Sequence, residues 1–390
     1  MSPPAPSLRV LHCAAGNLYG GVETLLGTLA LAKARPDFPR LDSEFALCFE
    51  GRLSQEIREA GAVVHPLGAV RFSRPWTVWS ARRRLRRLLK ERGIDILVTH
   101  GCWAHLLAGP AARKGKTPVV FWMHDMIGEG KPHWVDRDAS KVVPDRVIVN
   151  SHATAETLPR LFNNVPSEVI RYPVAPPVAF DKTAARRALR EEFHTSENDV
   201  VIVLTARLER WKGHAFLLDA LGRLKDNPGW TAWIAGGTQR PHEAIYLDEI
   251  QAQAQTLGIE KRLRFLGQRS DIPKILASAD IHCQPNLGPE PFGIAFVEAL
   301  YAGLPVVSSN LGGAAEIVTN ACGRLVPMGD VEALAETLRT LIDDHELRAS
   351  LGAAGPARAD ELCGLANVLP RMERYLDFPS ASGGRKPPEC

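Results

Sequence analysis

The chain lacks any long apolar run. No stretch of its 390 residues approaches the roughly 18 consecutive apolar residues that a membrane-spanning helix needs, so the expectation is a soluble protein, or one that at most rests on a membrane surface. Cysteine is sparse: seven residues, at 13, 48, 102, 283, 322, 363 and 390, with no CxxC pair among them. An odd count at wide spacing argues against a disulfide framework and for free thiols in a reducing compartment. Excess charge of one sign is also missing, since 47 Lys and Arg against 44 Asp and Glu leave only +3. That surplus is too small to argue for nucleic acid, and no nucleic-acid partner is expected. The opening MSPPAPSLRV has no basic segment followed by an apolar one, so no secretory leader is expected and the expected location is the cytoplasm. His100 and His105 flank Cys102 without a further ligand at metal-site spacing. Asp136-Arg137-Asp138 sits in a polar stretch that reads as a solvated helix face, and neither metal nor cofactor is expected.

The chain does carry a strict alternation. Leu8–Cys13, Glu44–Phe49, Val63–Pro66, Ile94–Thr99, Pro118–Trp122 and Arg146–Val149 read as strands. Val22–Ala34, Ser54–Ala60, Val78–Glu91, Ala104–Arg113 and Ala153–Phe162 repeat apolar residues at helical spacing. Strand–helix alternation implies a parallel sheet covered on both faces. Three prolines within Arg171–Val178 interrupt it and mark a linker. The pattern then restarts, with strands at Val200–Thr205, Thr231–Ala235, Leu263–Leu266, Ile281–Gln284, Val306–Ser308 and Arg324–Val326. Helices are expected near 213–225, 243–257, 271–279, 292–302 and 331–342. The predicted fold is therefore α/β, with two doubly wound domains over residues 1–173 and 174–364. A last helix near 365–380 can fold back onto the first domain. Open sheets of this kind bind ligands beyond the carboxyl ends of their strands, which places a reaction site in the cleft between them.

Two segments carry chemistry. In Glu290-Pro-Phe-Gly-Ile-Ala-Phe-Val-Glu298 a loop opens a helix whose unpaired N–H groups attract phosphate, and Gly293 admits close approach. Glu290 and Glu298 flank that helix start, and an ionised carboxylate accepts several hydroxyl donors. Thr205-Ala-Arg-Leu-Glu-Arg-Trp-Lys-Gly213 follows the first strand of the second domain, so Arg207 and Lys212 project from the ligand edge with a fork and a point charge for phosphate.

These segments, with GNLYGGVE at 16–23, FWMHD at 121–125, VNSHATAE at 149–156 and GGAAE at 312–316, resemble retaining glycosyltransferase family 4 of the GT-B type over nearly the whole chain. The resemblance implies two Rossmann-like domains facing across a cleft, the first binding acceptor and the second a nucleotide sugar. Arg207 and Lys212 then match the pair that neutralises the donor diphosphate. Glu290 matches the carboxylate that orients sugar hydroxyls, and Phe292 and Gly293 offer N–H groups near sugar and phosphate. Glu298 resembles the ribose-binding residue, Gly20 and Gly21 the glycine turn near the diphosphate or acceptor, and His124 a histidine that hydrogen-bonds the transferred sugar. Two departures stand out: Ala206 where the family often has glycine, and Arg171-Tyr172-Pro173 where Asn-Gly is usual after the first domain.

The implied activity is metal-independent, retaining transfer of a hexose from a UDP- or GDP-sugar to a saccharide, lipid-linked saccharide or small molecule, in bacterial glycan or lipopolysaccharide synthesis. A sugar-nucleotide epimerase and a non-catalytic sugar-nucleotide-binding subunit remain alternatives on the same fold. One more feature bears on the acceptor. Along Trp76–Lys90 the residues Val78, Ala81, Leu85, Leu88 and Leu89 form a core stripe and turn Arg82, Arg83, Arg86, Arg87 and Lys90 outward. That face is either solvated or in peripheral contact with an anionic membrane, where each cation contributes about 1 kcal/mol.

Overall fold

A computed structural model describes residues 7–17, 19–33 and 41–378. Leu18 and the closing GGRKPPEC lie outside the described residues. The first parallel sheet contains β1 (Leu8–Ala14), β2 (Leu41–Leu47), β3 (Val64–Pro66), β4 (Ile96–His100), β5 (Val119–Met123), β6 (Arg146–Val149) and β7 (Ser167–Val169) in the order 3-2-1-4-5-6-7. The second contains β8 (Val200–Thr205), β9 (Trp230–Ala235), β10 (Leu263–Gly267), β11 (Ile281–Gln284), β12 (Val306–Ser309) and β13 (Gly323–Val326) in the order 10-9-8-11-12-13. Runs such as VVIVLT in β8 are buried along their whole length, as strands covered by helices on both faces must be. In each sheet the order reverses beside the first strand, between β1 and β4 and between β8 and β11. That is where a doubly wound sheet opens its crevice.

The differences from the sequence pattern have local causes. The helix expected over Ala153–Phe162 stops at Thr157 and tightens into a single 3-10 turn, Leu158–Arg160, because Pro159 donates no backbone N–H. The basic helix begins earlier than its apolar stripe, at Pro75, whose fixed φ suits a first helical position. Its face also needs correcting. Val78, Ala81, Leu85 and Leu89 are buried as expected, but Arg82 turns inward and donates from Nε and Nη2 to the Leu107 and Leu106 carbonyls at 3.0 and 2.8 Å. Arg83, Arg87 and Lys90 stay exposed and Arg86 is half-buried.

The crossing segment after β7 has no regular structure through residue 181, and it meets the return crossing side by side: Val174 N–H donates to the Cys363 carbonyl at 2.8 Å. The helix Leu365–Leu376 then lies against the first sheet. Its Tyr375 hydroxyl donates to the carbonyls of Val147 and Pro166 at 3.0 and 2.9 Å, and Arg371 pairs with Glu168 at 2.6 Å. Among the described residues no helix is long and apolar enough to cross a membrane.

Candidate functional site

The carboxyl ends of β8 and β11 build one wall of the interdomain cleft. β11 leads into Gln284, Asn286 and then Glu290, whose backbone is gripped by the GGAAE turn: Gly313 N–H donates to the Glu290 carbonyl at 2.7 Å. A Cβ on Gly312 would collide with that backbone and one on Gly313 with the backbone of Phe292, which explains glycine at both positions. One carboxylate oxygen of Glu290, Oε2, accepts from Lys212 Nζ at 2.6 Å, Asn286 Nδ2 at 3.0 Å and Gln284 Nε2 at 3.1 Å. Lys212 also stands over the Trp211 ring at 4.0 Å. Gly293 takes φ +101°, open to glycine, and caps the helix Ile294–Ala302, so the backbone N–H groups of Phe292 and Gly293 come next to Glu290.

Arg207 lies at the end of β8, paired with Glu209 at 2.6 Å. It stands opposite the first domain's glycine turn: a Cβ on Gly20 would come within 4.0 Å of Arg207 Nε, and one on Gly21 within 3.7 Å of the Ile294 side chain. Its surroundings are acidic. Burial raises the carboxyls of Glu23 and Asp125, and the Arg207 guanidinium partly offsets both shifts. Glu298 is half-buried on the helix after Gly293, where desolvation raises its carboxyl to about 7. A carboxyl held above its ordinary 4.5 stabilises the fold fully at low pH and loses that contribution as pH rises through 7. Glu298→Gln is therefore expected to raise Tm above wild type at pH 8 and to leave it unchanged near pH 4, as read by paired thermal melts.

His124 is placed differently from the role its motif implies. Its ring is buried, and both nitrogens are engaged, Nδ1 with the Tyr172 hydroxyl at 2.5 Å and Nε2 with His100 at 2.9 Å. His100 in turn meets His12 at 3.0 Å. Burial lowers the imidazoles of His12 and His124 to about 3 and that of His100 well below its ordinary value, so all three are neutral. The row fixes its own tautomers. Asn150 Nδ2 donates to the Tyr172 oxygen at 3.3 Å, which leaves the Tyr172 proton for His124 Nδ1. Tyr172, itself buried, carries the row to the seam between the two halves: its ring lies 4.8 Å from that of Phe292 and beside Gly21. The unusual Arg171-Tyr172-Pro173 is thus a wedge between the two halves.

Two motifs without an assigned part lock the halves together. Ser151 Oγ and Thr154 Oγ1 donate to the Pro291 carbonyl at 2.5 and 3.1 Å. The Glu316 carboxylate accepts from Ala153 N–H at 3.0 Å and pairs with Arg171 at 3.1 Å. At the other side of the cleft Gln239 bonds the backbone N–H and C=O of Tyr19, each at 3.1 Å. Sequence reasoning missed Asp125, Glu23 and Tyr172. The available signal was their position, since Glu23 and Asp125 follow β1 and β5 at the ligand edge. Asp136 and Asp138 separate. Asp138 pairs on the surface with Lys141 at 2.6 Å, whereas Asp136 is half-buried and its charge adds to burial in raising the Cys102 thiol and the Asp125 carboxyl.

Comparison with known proteins bears on the family and the fold. The family model described as Glycosyltransferase Family 4 matches residues 19–176, and the one described as Glycosyl transferases group 1 matches 185–358. A phosphatidyl-myo-inositol mannosyltransferase of Mycobacterium leprae is 45% identical over 305 residues, 77% of this chain and 78% of that one. Its namesake from Mycolicibacterium smegmatis is 30% identical over 287 residues, 72% and 70% of the two chains. Anabaena HepE, solved in complex with UDP-glucose, superposes with a TM-score of 0.81 at 25% identity, over 95% of this chain and 99% of that one.

Proposed function

The chain belongs to glycosyltransferase family 4 of the GT-B type, and on that premise we propose that it transfers a hexosyl group with retention from a UDP- or GDP-sugar, without a metal, to a polyol or saccharide carried on a membrane lipid. The observation that carries this reading is the convergence of Lys212 and the helix start at Gly293 on one carboxylate, Glu290, at the sheet edge where Arg207 also stands, at the end of β8. A diphosphate leaving group there meets two cations and backbone N–H groups, the electrostatic stabilisation that acyl and phosphoryl leaving groups draw on most heavily. Glu209 holds Arg207 until the diphosphate takes its place. Glu290 has Oε1 left over for donor-sugar hydroxyls, Glu298 receives the ribose, and Gly20 and Gly21 let the first domain close on the diphosphate. His124 acts through Tyr172, keeping that ring against Phe292. The leaving diphosphate takes the acceptor proton on the same face, which gives retention without a separate base.

Mannose is the first sugar to test, because two relatives are named for mannosyl transfer to phosphatidyl-myo-inositol. The lipid acceptor draws on the basic helix as well. Trp76 and Trp79 are 66% and 60% exposed beside Arg83, Arg87 and Lys90, an aromatic and cationic face suited to an anionic bilayer surface. Replacing Arg83, Arg87 and Lys90 by glutamine is expected to abolish sedimentation with phosphatidylglycerol vesicles at low salt. Binding that is insensitive to both the substitutions and salt would remove the membrane from the reading. The central test is thermal shift against UDP, GDP and their sugars in EDTA. A stabilising donor supports the assignment, and stabilisation that returns only with a divalent cation defeats metal independence.

A further inference from the structure

Gln239 reaches across the cleft, and its side-chain amide is matched to a single residue of the other half. Its Nε2 donates to the Tyr19 carbonyl and its Oε1 accepts from the Tyr19 N–H, each at 3.1 Å. An amide offers one acceptor and one donor group, and here both are used on backbone rather than on a side chain. The residue so held immediately precedes Gly20 and Gly21. We propose that Gln239 is a positioning residue: it holds the first domain's glycine turn against Arg207, and so sets that turn on the distal phosphate of a bound nucleoside diphosphate. The inference rests on the glycosyltransferase reading and names the residue through which the two domains come into register at that site.

Both ends of the contact are anchored. On the first domain the Tyr19 hydroxyl donates to Glu56 at 2.6 Å and Arg52 lies 3.7 Å over its ring, so Tyr19 is fixed to the helix Arg52–Glu59. On the second domain the N–H groups of Gln239 and Arg240 donate to the Glu243 carboxylate, that of Arg240 at 3.0 Å. Glu243 is fully buried in the first turn of the helix Pro241–Leu257. The loop that carries Gln239 is also tied to Arg207. It leaves β9 beside the end of β8, where Ala206 N–H donates to the Ala235 carbonyl at 3.1 Å. A Cβ on Gly236 would strike the Ala206 carbonyl, and Arg207 is the next residue. The turn faces that same arginine, since a Cβ on Gly20 would come within 4.0 Å of Arg207 Nε. Gln239 is half-buried, so water can replace its bonds and the fold depends little on them. What depends on them is where the turn stands relative to Arg207, and small displacements of a binding group weigh heavily on the contact it makes.

The test compares diphosphate with monophosphate on the full chain, by calorimetry with UDP against UMP and GDP against GMP, using whichever pair the wild type binds. Gln239→Ala removes both bonds, and Gln239→Asn, one methylene shorter, no longer spans them. Each is expected to weaken the diphosphate about tenfold, the scale of one or two net hydrogen bonds, and to leave the monophosphate within about twofold. In the diphosphate complex, hydrogen exchange at the Tyr19 amide is expected to quicken about tenfold in both variants. Their melting temperatures are expected to stay within about 2 °C of wild type. Equal losses for diphosphate and monophosphate reduce Gln239 to a scaffold and overturn the proposal. Diphosphate affinity or Tyr19 exchange unchanged by the substitutions overturns it as well. A wild type that binds neither diphosphate sinks the glycosyltransferase reading itself, and the role of Gln239 with it.

Discussion

Arg207→Ala is expected to lower kcat/KM by at least about a hundredfold, the scale seen when one preorganised donor to a developing negative charge is removed. The structure argues for an effect at the upper end. Arg207 is the cation between Glu23, Asp125 and Glu209, and its guanidinium offsets the raised carboxyls of the first two. Deleting it removes an attraction and also leaves three carboxylates to face the diphosphate. Arg207→Lys keeps charge but not the fork and is expected to recover only part of the loss. Conversely, Glu209→Gln releases Arg207 from its 2.6 Å partner and is expected to tighten nucleotide binding. The measurement is steady-state kinetics with nucleotide calorimetry on each variant, after a melt shows it folded. Near-normal turnover in folded Arg207→Ala defeats the phosphate assignment.

Most of the fold was legible because its signal is local. Buried parallel strands are short, β-branched and bounded, and each of the predicted strands is present with its ends moved by a few residues. What was missed lacked such a signal. β7 is three residues long, follows Pro166 and forms an edge, so it carries no apolar run. The helix His345–Cys363 contains Gly352, Gly355 and Pro356, which read as breakers. The glycines are there because a side chain would strike the Gly303 and Leu300 carbonyls of the neighbouring segment. Arg82 was read as outward from helical spacing alone, and spacing does not reveal that two carbonyls of the next helix lie within its reach.

The site was legible only where motif and chemistry coincide on one segment. Lys212 and Glu290 lie 78 residues apart, yet each sits in a loop after a strand of the same sheet, and the sheet order brings β8 and β11 side by side. The histidine row is the opposite case. His12, His100 and His124 belong to β1, β4 and the residue after β5, three adjacent strands whose adjacency is a fact of topology. Seen singly, each is a histidine near a strand end, and nothing in the sequence joins them to Tyr172.

Glu290→Gln carries the second large effect, and it separates holding from catalysis. Three donors converge on Oε2, so in the variant the amide oxygen is expected to turn toward Lys212, Asn286 and Gln284 and the amide nitrogen toward the donor sugar. That orientation replaces a hydroxyl acceptor with a donor and is expected to lower kcat/KM by about 10²–10³, mostly in kcat, because the contact strengthens as charge separates in the transition state. Stability should change less. The pair is largely buried, with side chains 14% and 9% exposed, but the amide still accepts from Lys212 and the Trp211 ring still lies beneath it. A loss of about 1 kcal/mol corresponds to roughly 2–4 °C in a domain of this size. Glu290→Ala removes the acceptor entirely. It is expected to cost several times more in stability, since breaking a buried pair leaves an uncompensated charge worth about 3–5 kcal/mol before the remaining exposure of Lys212 is taken into account. Adding Lys212→Met to Glu290→Ala should restore much of the melting temperature and none of the activity. Wild-type kcat/KM in Glu290→Gln, or activity returning with stability in the double variant, would reduce Glu290 to a scaffold for Lys212.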